Sequence, residues 1–465
     1  MTPKGAIPRL RSALGVALTQ VSSVEPSRLA GRITQVVGTI AEASGLPLPL
    51  GSRVVVVDQG REWELEVIGF KGRTTVLMPY DTLAGLRPGL LAMPLPSHSD
   101  LPSGEGLLGR VIDSRGMPLD DKGPLLGVTR KAQKLATINP VTRARIDTPL
   151  ATGVRAIDGL LALGKGQKIG IFAGSGVGKS VLLGMIARQT AADVNVIALI
   201  GERGKEVREF IENDLGPAGL ARSVVIVVTS DESPLKRLRA ANLATAIAAG
   251  FRESGKQVLL MMDSLTRVAH AQRELGLAVG EPPTSRGYPP SVFTLLPQIL
   301  EQVGSVGAGS ITGIYTVLVE GDDFNEPVAD LARSILEGHL VLSRTLASSG
   351  HYPAIDVLES LSRCFTQIVP GDQQGWASEL RGVLAAYCEV RDLVQIGAYR
   401  AGTNAETDRV IARLPAIQSF LRQAVDEAAT WDGTRKLLQQ AAAQPPATST
   451  VRPLGPAQLP GRKAG

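Results

Sequence analysis

The stretch IGIFAGSGVGKS, residues 169–180, joins a short apolar run to a glycine-rich loop that ends in Lys-Ser. The segment that follows it, VLLGMIARQT, has the composition of a helix. A strand, a glycine-rich turn and a helix opened by Lys-Ser form the context that a phosphate-binding P-loop requires. Gly174, Gly176 and Gly178 allow the backbone to bend so that successive N–H groups point at phosphate oxygens. The stretch therefore predicts a nucleotide site.

Single positions of this loop have separate roles. Lys179 is expected to bridge the β- and γ-phosphates of ATP as a point charge, and Ser180 to ligate Mg²⁺. Ala173 stands where glycine is usual, but alanine is a small substitute at a position that serves the loop's conformation. A chance glycine-rich turn is disfavoured because strand, loop, Lys-Ser pair and helix occur together. The residues expected to contact the nucleotide are Gly174, Ser175, Gly176, Val177, Gly178, Lys179, Ser180 and Val181.

Two acidic residues end other apolar runs. The run VLLMMD ends on Asp263, at the carboxyl end of a predicted buried strand, where the Mg²⁺ shell needs a negative group. The alternative for Asp263 is a turn former. Glu202 stands at the top of the predicted strand VNVIAL, where a carboxylate can polarise an attacking water if that strand neighbours the P-loop strand. Arg203 beside it could stabilise charge on the transferring phosphoryl group. A surface ion pair is the alternative for Glu202.

Composition narrows the function classes. A chain of 465 residues allows roughly three domains of ~150 residues. Its aromatic content of 4% argues against a protein that stacks single-stranded bases on aromatic rings. The two cysteines, Cys364 and Cys388, exclude a disulfide framework or a cysteine zinc site. No apolar run is long enough to span a membrane, so the sequence predicts a cytosolic protein with a mildly basic net charge of +5.

Residues 1–30 are predicted to form an amphipathic helix, with basic residues near its start. Two interpretations of this helix stay open: it packs on the core of its own chain, or it docks on a partner or on lipid headgroups. The apolar positions that recur at spacings of three and four are Ile7, Leu10, Leu14, Ala17 and Val21.

Changes of pattern divide the rest of the chain. Residues 31–95 hold short β-rich runs broken by Gly and Pro, which predicts a small β-barrel or sandwich. Within 96–370 apolar strands alternate with helix-length segments, which is typical of an α/β fold with a parallel sheet covered by helices on both faces. Residues 371–440 are predicted to be helical and the Pro-rich 441–465 disordered. The predicted sheet strands are KIGIFA, VNVIALI, SVVIVVT, QVLLMMD and ITGIYTVLVE.

Six ordered motifs between about residues 30 and 440 resemble the rotary and export ATPases. This family includes the catalytic subunit of the F-type ATP synthase and the ATPases of virulence-associated and flagellar type III export. The resemblance implies a RecA-like P-loop core with a parallel sheet, preceded by a small N-terminal β-barrel and followed by a C-terminal helical domain. The motifs are AGSGVGKS, GERGKEVREF, LLMMDSLTR, PPTSRGYPPSVFTLLPQILE, YTVLVEGDDFNEPVAD and HYPAIDVLESLSR.

The resemblance also implies roles for four residues. Glu202 matches the family's catalytic glutamate, and Arg363 matches an arginine that one subunit supplies to its neighbour's site. Because one chain carries both, a homohexamer of identical copies is expected; the alternative for Arg363 is a local salt bridge. Tyr352 matches the aromatic residue that stacks on adenine, although it could equally belong to the core. Arg381 matches a basic interface residue.

Two segments are more similar in sequence to the flagellar branch than to the virulence branch: FAGSGVGKSVLLGMIAR and EFIENDLG. The expected function is hydrolysis of ATP with Mg²⁺ to energise flagellar protein export at the cytoplasmic face of the inner membrane. The alternatives are an injectisome ATPase, a transcription-termination-type ring helicase, or a nucleotide-sensing scaffold without turnover. The expected partners, with no nucleic acid among them, are a dimeric negative regulator and acidic lipid at the N-terminal helix, a coiled-coil stalk, export-gate membrane proteins and chaperone–substrate complexes.

Overall fold

The computed structural model describes most of the chain as two compact units. The first contains the described part of residues 1–99 together with 232–236 and 271–290, and the second contains the remainder. Residues 1–28 of the amphipathic helix predicted for 1–30, and nearly all of the tail predicted for 441–465, lie outside the described residues. The described ranges are 29–96, 100–132, 138–141, 143–319, 323–324 and 326–443.

A closed six-stranded antiparallel barrel forms the first unit, in the order β1-β2-β5-β4-β3-β6. Side chains alternate between the interior and the surface, as the β-rich pattern predicts. In β4, for example, Trp63, Leu65 and Val67 are buried while their neighbours are not. The strands are β1 Gly31–Val37, β2 Ile40–Ser44, β3 Arg53–Asp58, β4 Arg61–Lys71, β5 Thr74–Pro79 and β6 Leu91–Pro94.

Two segments from the middle of the chain complete the first unit. Leu235 is buried in one apolar cluster with Val76 and Met78 of β5, and Leu275 and Val279 pack against the same cluster. No sequence pattern indicates this arrangement, because residues 232–236 and 271–290 stand among the segments that build the second unit.

The second unit is built on a mixed sheet in the order β19-β18-β12-β17-β15-β13-β14-β8, with β16 beside β17. The five predicted strands are β12, β13, β14, β15 and β17, and they are parallel as expected. The strands after the barrel are β7 Asp100–Ser103, β8 Arg110–Ile112, β9 Thr129–Ala132, β10 Pro149–Leu150, β11 Leu163–Gly164, β12 Lys168–Ala173, β13 Val194–Glu202, β14 Ser223–Thr229, β15 Gln257–Asp263, β16 Ser305–Val306, β17 Gly309–Leu318, β18 Gly338–Leu342 and β19 Ile355–Ser362.

One edge of the sheet departs from the predicted parallel arrangement. β19 runs antiparallel to β18. The connection between them, residues 343–354, holds only one short helix, so the chain turns back beside β18 instead of crossing the sheet. The opposite edge carries the short parallel strand β8, which the sequence pattern did not predict.

Helices pack around this sheet and form a bundle at the end of the chain. α11, α12 and α13 contact one another and α1. Within the described ranges, no helix combines the length and the apolar character needed to cross a bilayer. The helices are α1 Arg155–Leu160, α2 Lys179–Gln189, α3 Gly204–Glu209, which continues as a π-turn over Phe210–Leu215, α4 Gly216–Ala221, α5 Pro234–Glu253, α6 Leu265–Val279, α7 Pro290–Leu300, α8 Pro327–Ile335, α9 Arg344–Ser348, α10 Phe365–Ile368, α11 Gly371–Gln395, α12 Ala405–Leu421 and α13 Trp431–Ala443.

A buried ion pair holds the edge strand β8. Asp120 accepts hydrogen bonds from Nε and Nη2 of Arg110 at 2.8 and 2.9 Å, and from the N–H groups of Val111 at 3.0 Å and Lys122 at 3.3 Å. Burial opposes the charge of Asp120, but these hydrogen bonds outweigh it and lower the pKa of the carboxyl to about 2. Ionised Asp120 therefore stabilises the folded chain.

We expect Asp120→Asn to lower the free energy of unfolding at pH 7 by about 2 kcal/mol, the value of the pKa depression. A depressed carboxyl pKa stabilises the fold above about pH 4, and this contribution is lost as the pH falls toward 2. The deficit of the variant relative to the unsubstituted chain should therefore shrink between pH 4 and pH 2. Urea unfolding at several pH values measures it.

The unfolding signal can be confined to the second unit. In a Trp63→Phe background the remaining tryptophans, Trp376 and Trp431, both belong to that unit. Asp392→Asn, at a side chain that is largely exposed, is the matched control and should leave the midpoint unchanged. A deficit for Asp120→Asn that stays constant down to pH 2 would contradict the assignment.

Candidate active site

The glycine-rich loop connects β12 to α2, as the motif predicts. Gly176 and Gly178 have φ values of 77° and 87°, in the left-handed region that strains any side chain. Gly178 is the N-cap of α2, which begins at Lys179. Ala173 is still part of the strand and pairs with Leu318 and Leu342 on either side. Alanine is therefore sufficient at 173, whereas glycine is required at 176 and 178.

The loop is anchored at one point and open at others. Val177 is buried in the core of the second unit, while Ser175 and Gly176 are exposed. Ser180 and Val181 lie in the first turn of α2, and both are partly buried. The first turn of a helix presents N–H groups without an intrahelical partner, which favours an anion there.

Three charged side chains meet above the carboxyl ends of the strands. Nζ of Lys179 donates a hydrogen bond to Oδ1 of Asp263 and lies 3.4 Å from Oε1 of Glu202. Asp263 is the last residue of β15 and Glu202 the last of β13. The structure therefore brings together the three residues that the sequence predicted to act together.

The strands that supply these residues are not the neighbours that the sequence analysis assumed. β17 separates β12 from β15, and β13 lies one strand further on. Leu199 of β13 and Asp263 of β15 are paired in register, so both strands reach the same level of the sheet. Glu202 extends beyond this level and approaches Lys179 across two intervening strands.

Burial and charge set the protonation of this cluster. Burial, reinforced by the negative charge of Asp263, raises the pKa of Glu202 to about 7. For Lys179, burial acts against the charge, but the two carboxylates outweigh it and raise the pKa of the ammonium. Asp263 is 3% exposed and also accepts a hydrogen bond of 2.6 Å from Oγ1 of Thr316.

The donor set fits a nucleotide accompanied by Mg²⁺. Two carboxylates face one ammonium, so the cluster has an excess of negative charge and carboxylate oxygens that suit a hard divalent cation. The left-handed glycines and the exposed loop backbone suit phosphate oxygens. Asp263 and the Ser180 hydroxyl would hold Mg²⁺, and Lys179 with the loop N–H groups would hold the phosphates.

Two predicted catalytic arginines lie outside this cluster in the single chain. The side chain of Arg203 is 81% exposed, and its guanidinium lies 3.8 Å from Glu206. Arg363 follows β19 and is exposed; among the described residues, its guanidinium contacts the carbonyl oxygen of Arg333, at 3.5 Å. A local salt bridge, the alternative considered for Arg363, is not formed with any described residue.

Tyr352 and Arg381 have different surroundings. The ring of Tyr352 lies over the P-loop, with Cε1 3.4 Å from the position that a Cβ on Gly178 would occupy, and the residue is 45% exposed. It is therefore not a core residue. Arg381 donates a hydrogen bond to the carbonyl oxygen of Leu160, and its guanidinium stacks on Phe365 at 5.6 Å. In the single chain Arg381 fastens α11 to α1, and its interface role stays a prediction.

Two further residues of this region are not among the predicted site residues. Thr316 of β17 donates to Asp263, and its only sequence signal is a hydroxyl within an apolar strand. The aliphatic part of Arg267 covers Gly201, the residue before Glu202, within 2.9 Å of a Cβ position there. Nε of Arg267 is buried without a hydrogen-bond partner in the described part of the chain.

Known proteins share this arrangement over nearly the whole chain. Residues 153–362 match the nucleotide-binding domain of the ATP synthase alpha/beta family, and residues 369–440 match the C-terminal domain of the EscN-type secretion ATPases. The flagellum-specific ATP synthase of Pseudomonas aeruginosa is 51% identical over 85% of this chain and 89% of its own length. The chain belongs to this ATPase family.

Both export branches of the family are represented among its relatives. The type 3 secretion system ATPase of Xanthomonas euvesicatoria is 49% identical over 90% of this chain and 95% of its own length. The solved structure of the assembled ATPase EscN from enteropathogenic E. coli matches with a TM-score of 0.83 and 42% identity, covering 89% of this chain and all of EscN. EscN in complex with its central stalk EscO matches with a TM-score of 0.81 at 41% identity. This family member is thus an ATPase of the flagellar and type III secretion group.

Thr316→Val removes the hydroxyl that orients Asp263. We expect the Mg²⁺ concentration for half-maximal turnover to rise about 10-fold, because a partner that orients a metal ligand typically contributes that much. A titration of ATPase activity with Mg²⁺ measures this. Thr34→Val, at an exposed threonine of the barrel, is the matched control and should leave the Mg²⁺ dependence unchanged. An unaltered Mg²⁺ dependence in Thr316→Val would contradict the role of Thr316.

Proposed function

We propose that this ATPase energises protein export through a flagellar type III apparatus, working as a homohexameric ring. The observation that carries the proposal is one chain that holds both an assembled Lys179–Glu202–Asp263 cluster and an exposed, nearly unanchored Arg363. The similarity to flagellum-specific ATP synthases supports the flagellar branch. The ATPase of an injectisome is the second candidate, favoured by the similarity to the Xanthomonas euvesicatoria enzyme.

Each residue of the site has a proposed role, which its position in the cluster supports. Lys179 and the loop N–H groups hold the phosphates, while Ser180 and Asp263 hold Mg²⁺, which supplies charge neutralisation at the phosphoryl group when it is bound. Glu202 orients the attacking water and accepts its proton. A carboxyl with a pKa near 7 is matched to that task at neutral pH. The exposed ring of Tyr352 beside Gly178 offers a stacking face for adenine.

The ring follows from what one chain lacks at its own site. Among the described residues, Lys179 is the cation paired with Glu202 and Asp263, and neither Arg203 nor Arg363 contacts this cluster in the single chain. An exposed arginine whose side chain has one weak contact can enter a neighbour's site at little cost. Each site is then completed by the adjacent copy, in a head-to-tail arrangement that closes into a ring.

The remaining partners are proposed by relation to the family. The solved structure of EscN with its central stalk EscO supports the proposal that this chain also binds a coiled-coil stalk. A dimeric negative regulator and acidic lipid at the N-terminal segment, export-gate membrane proteins and chaperone–substrate complexes complete the proposal. They place the ring at the cytoplasmic face of the inner membrane.

Glu202→Gln should abolish turnover while leaving ATP affinity within about 2-fold of that of the unsubstituted enzyme, because it removes the proton acceptor and keeps the size of the side chain. Steady-state phosphate release and binding of a fluorescent ATP analogue measure the two quantities. The unsubstituted enzyme should lose activity as the pH falls through about 7, where Glu202 becomes protonated.

The same variant separates the proposed biological roles. A host strain that lacks this chain should recover export of flagellar filament protein with the unsubstituted gene and not with Glu202→Gln. Recovery of injectisome substrates alone would favour the second candidate. Turnover by Glu202→Gln near the unsubstituted rate would overturn the catalytic assignment itself.

Two inactive variants should complement each other if Arg363 acts on the neighbouring subunit. Arg363→Ala should keep only a trace of turnover, because each of its sites has Glu202 but receives no arginine from the neighbouring copy. Glu202→Gln still donates Arg363. In a mixture of equal amounts, about a quarter of the interfaces in a head-to-tail ring combine an intact Glu202 with an intact Arg363. Phosphate release from the mixture measures this recovery. A mixture as inactive as its components would contradict donation between subunits.

A further inference from the structure

Arg363 rests at the carboxyl end of helix α8. Its backbone N–H donates to the carbonyl oxygen of Glu337 at 3.0 Å, and its Nη2 lies 3.5 Å from the carbonyl oxygen of Arg333. Arg333 belongs to the last turn of α8, where carbonyl groups lack intrahelical partners and the helix dipole attracts cations. The end of α8 therefore provides the one side-chain contact that the guanidinium of Arg363 makes among the described residues.

A stack of aromatic rings holds this end of α8. The guanidinium of Arg333 lies over the ring of Phe324, 6.0 Å from its centroid, and Phe324 packs against Phe172 with ring centroids 6.2 Å apart. Phe172 is 1% exposed and also meets the ring of His339 edge-on at 5.9 Å. Phe172 is the second-last residue of β12, directly before the P-loop. Continuous contacts thus lead from the P-loop strand to Arg333.

The packing along this route leaves no spare room. A Cβ on Gly170 of β12 would lie 2.5 Å from Cε2 of Phe172 and 2.9 Å from Cδ1 of Leu336, the residue after α8. Phe172 and the residue that follows α8 therefore both pack closely against the same glycine of β12.

A second connection runs through a single residue. Glu337 donates its N–H to the carbonyl oxygen of Lys168 at 2.8 Å, and its Oε2 accepts from the N–H of Lys168 at 2.9 Å. Its own carbonyl oxygen accepts from the N–H of Arg363 at 3.0 Å. The first residue of β12 and the backbone of Arg363 are thus both bonded to Glu337.

The charges around His339 favour the position of the Arg333 side chain on the aromatic ring. Arg333 and Arg363 are both cations and both lie near His339, and burial with these two charges lowers the pKa of that imidazole. The face of Phe324 attracts the Arg333 guanidinium, which leaves the helix end open to Arg363. The contact with Phe324 thus anchors the last turn of α8, whose carbonyl oxygen at Arg333 receives the guanidinium of Arg363.

We propose that Arg333 is a positioning residue for Arg363, and that its contact with Phe324 links the arginine that a subunit donates to the P-loop strand of the same subunit. The inference rests on the proposed role of Arg363 at the neighbouring site. Its consequence is that the nucleotide state of one loop adjusts the arginine offered to the next site, which couples adjacent sites around the ring.

Arg333→Gln and Phe324→Leu test the proposal in the full-length protein. Each should lower kcat about 5-fold, the value of an exposed cation–aromatic contact, with the KM for ATP unchanged. Arg333→Lys should restore most of kcat, because an ammonium also binds the ring face. Arg115→Gln, at an exposed loop arginine, is the matched control and should keep the original kcat. A loss in Arg333→Gln that Arg333→Lys does not relieve would overturn the proposal.

A double-mutant cycle separates positioning from a general structural effect. In an Arg363→Ala background, Arg333→Gln should cause no further loss of the residual turnover, because it acts only through Arg363. Losses that multiply would overturn the proposal. So would a loss that disappears at protein concentrations where sedimentation shows full assembly, since Arg333 would then only support the interface.

The activities of Arg363→Ala and Arg333→Gln distinguish the role of Arg363 from that of Arg333. If Arg363→Ala itself keeps full turnover, the proposed donation of Arg363 is wrong. If Arg363→Ala is inactive and Arg333→Gln is as active as the unsubstituted enzyme, only the positioning role is wrong.

Discussion

The ion pair between Lys179 and Asp263 organises the nucleotide site. It joins the start of α2 to the end of β15 and has a second carboxylate, Glu202, at 3.4 Å. One ammonium cannot neutralise two buried carboxylates when both are ionised. The cluster then has a net negative charge, which favours the binding of a further cation. A metal–nucleotide complex would supply that positive charge together with anionic groups for Lys179.

The order of the strands in the sheet determines where the side chains of this cluster meet. The P-loop strand lies between β17 and β18, and the two acidic residues come from strands on one side of it. Neighbouring parallel strands end at one level, so side chains from β13 and β15 reach a common point without long loops. Thr316 lies on β17, between the P-loop strand and β15, and orients the carboxylate of Asp263 by a hydrogen bond.

Much of this could be predicted from the sequence. Local motifs predict the P-loop, the strand pattern and the grouping of Lys179, Glu202 and Asp263. These motifs are recognised from apolar periodicity and glycine positions within short stretches of sequence. The order of the strands is not local, and β17 enters between β12 and β15 although it comes later in the chain. Thr316 and the aromatic stack at Phe172 depend on such long-range neighbours. The segments 232–236 and 271–290 were missed for the same reason.

The barrel of β1–β6 closes on itself through the pairing of β1 with β6. A closed barrel exposes no free strand edge along which another chain could add a strand. Proteins that gather many copies at one place face a constant risk of edge-to-edge aggregation. The barrel of each copy therefore offers its neighbours side-chain surfaces and no strand edge to extend.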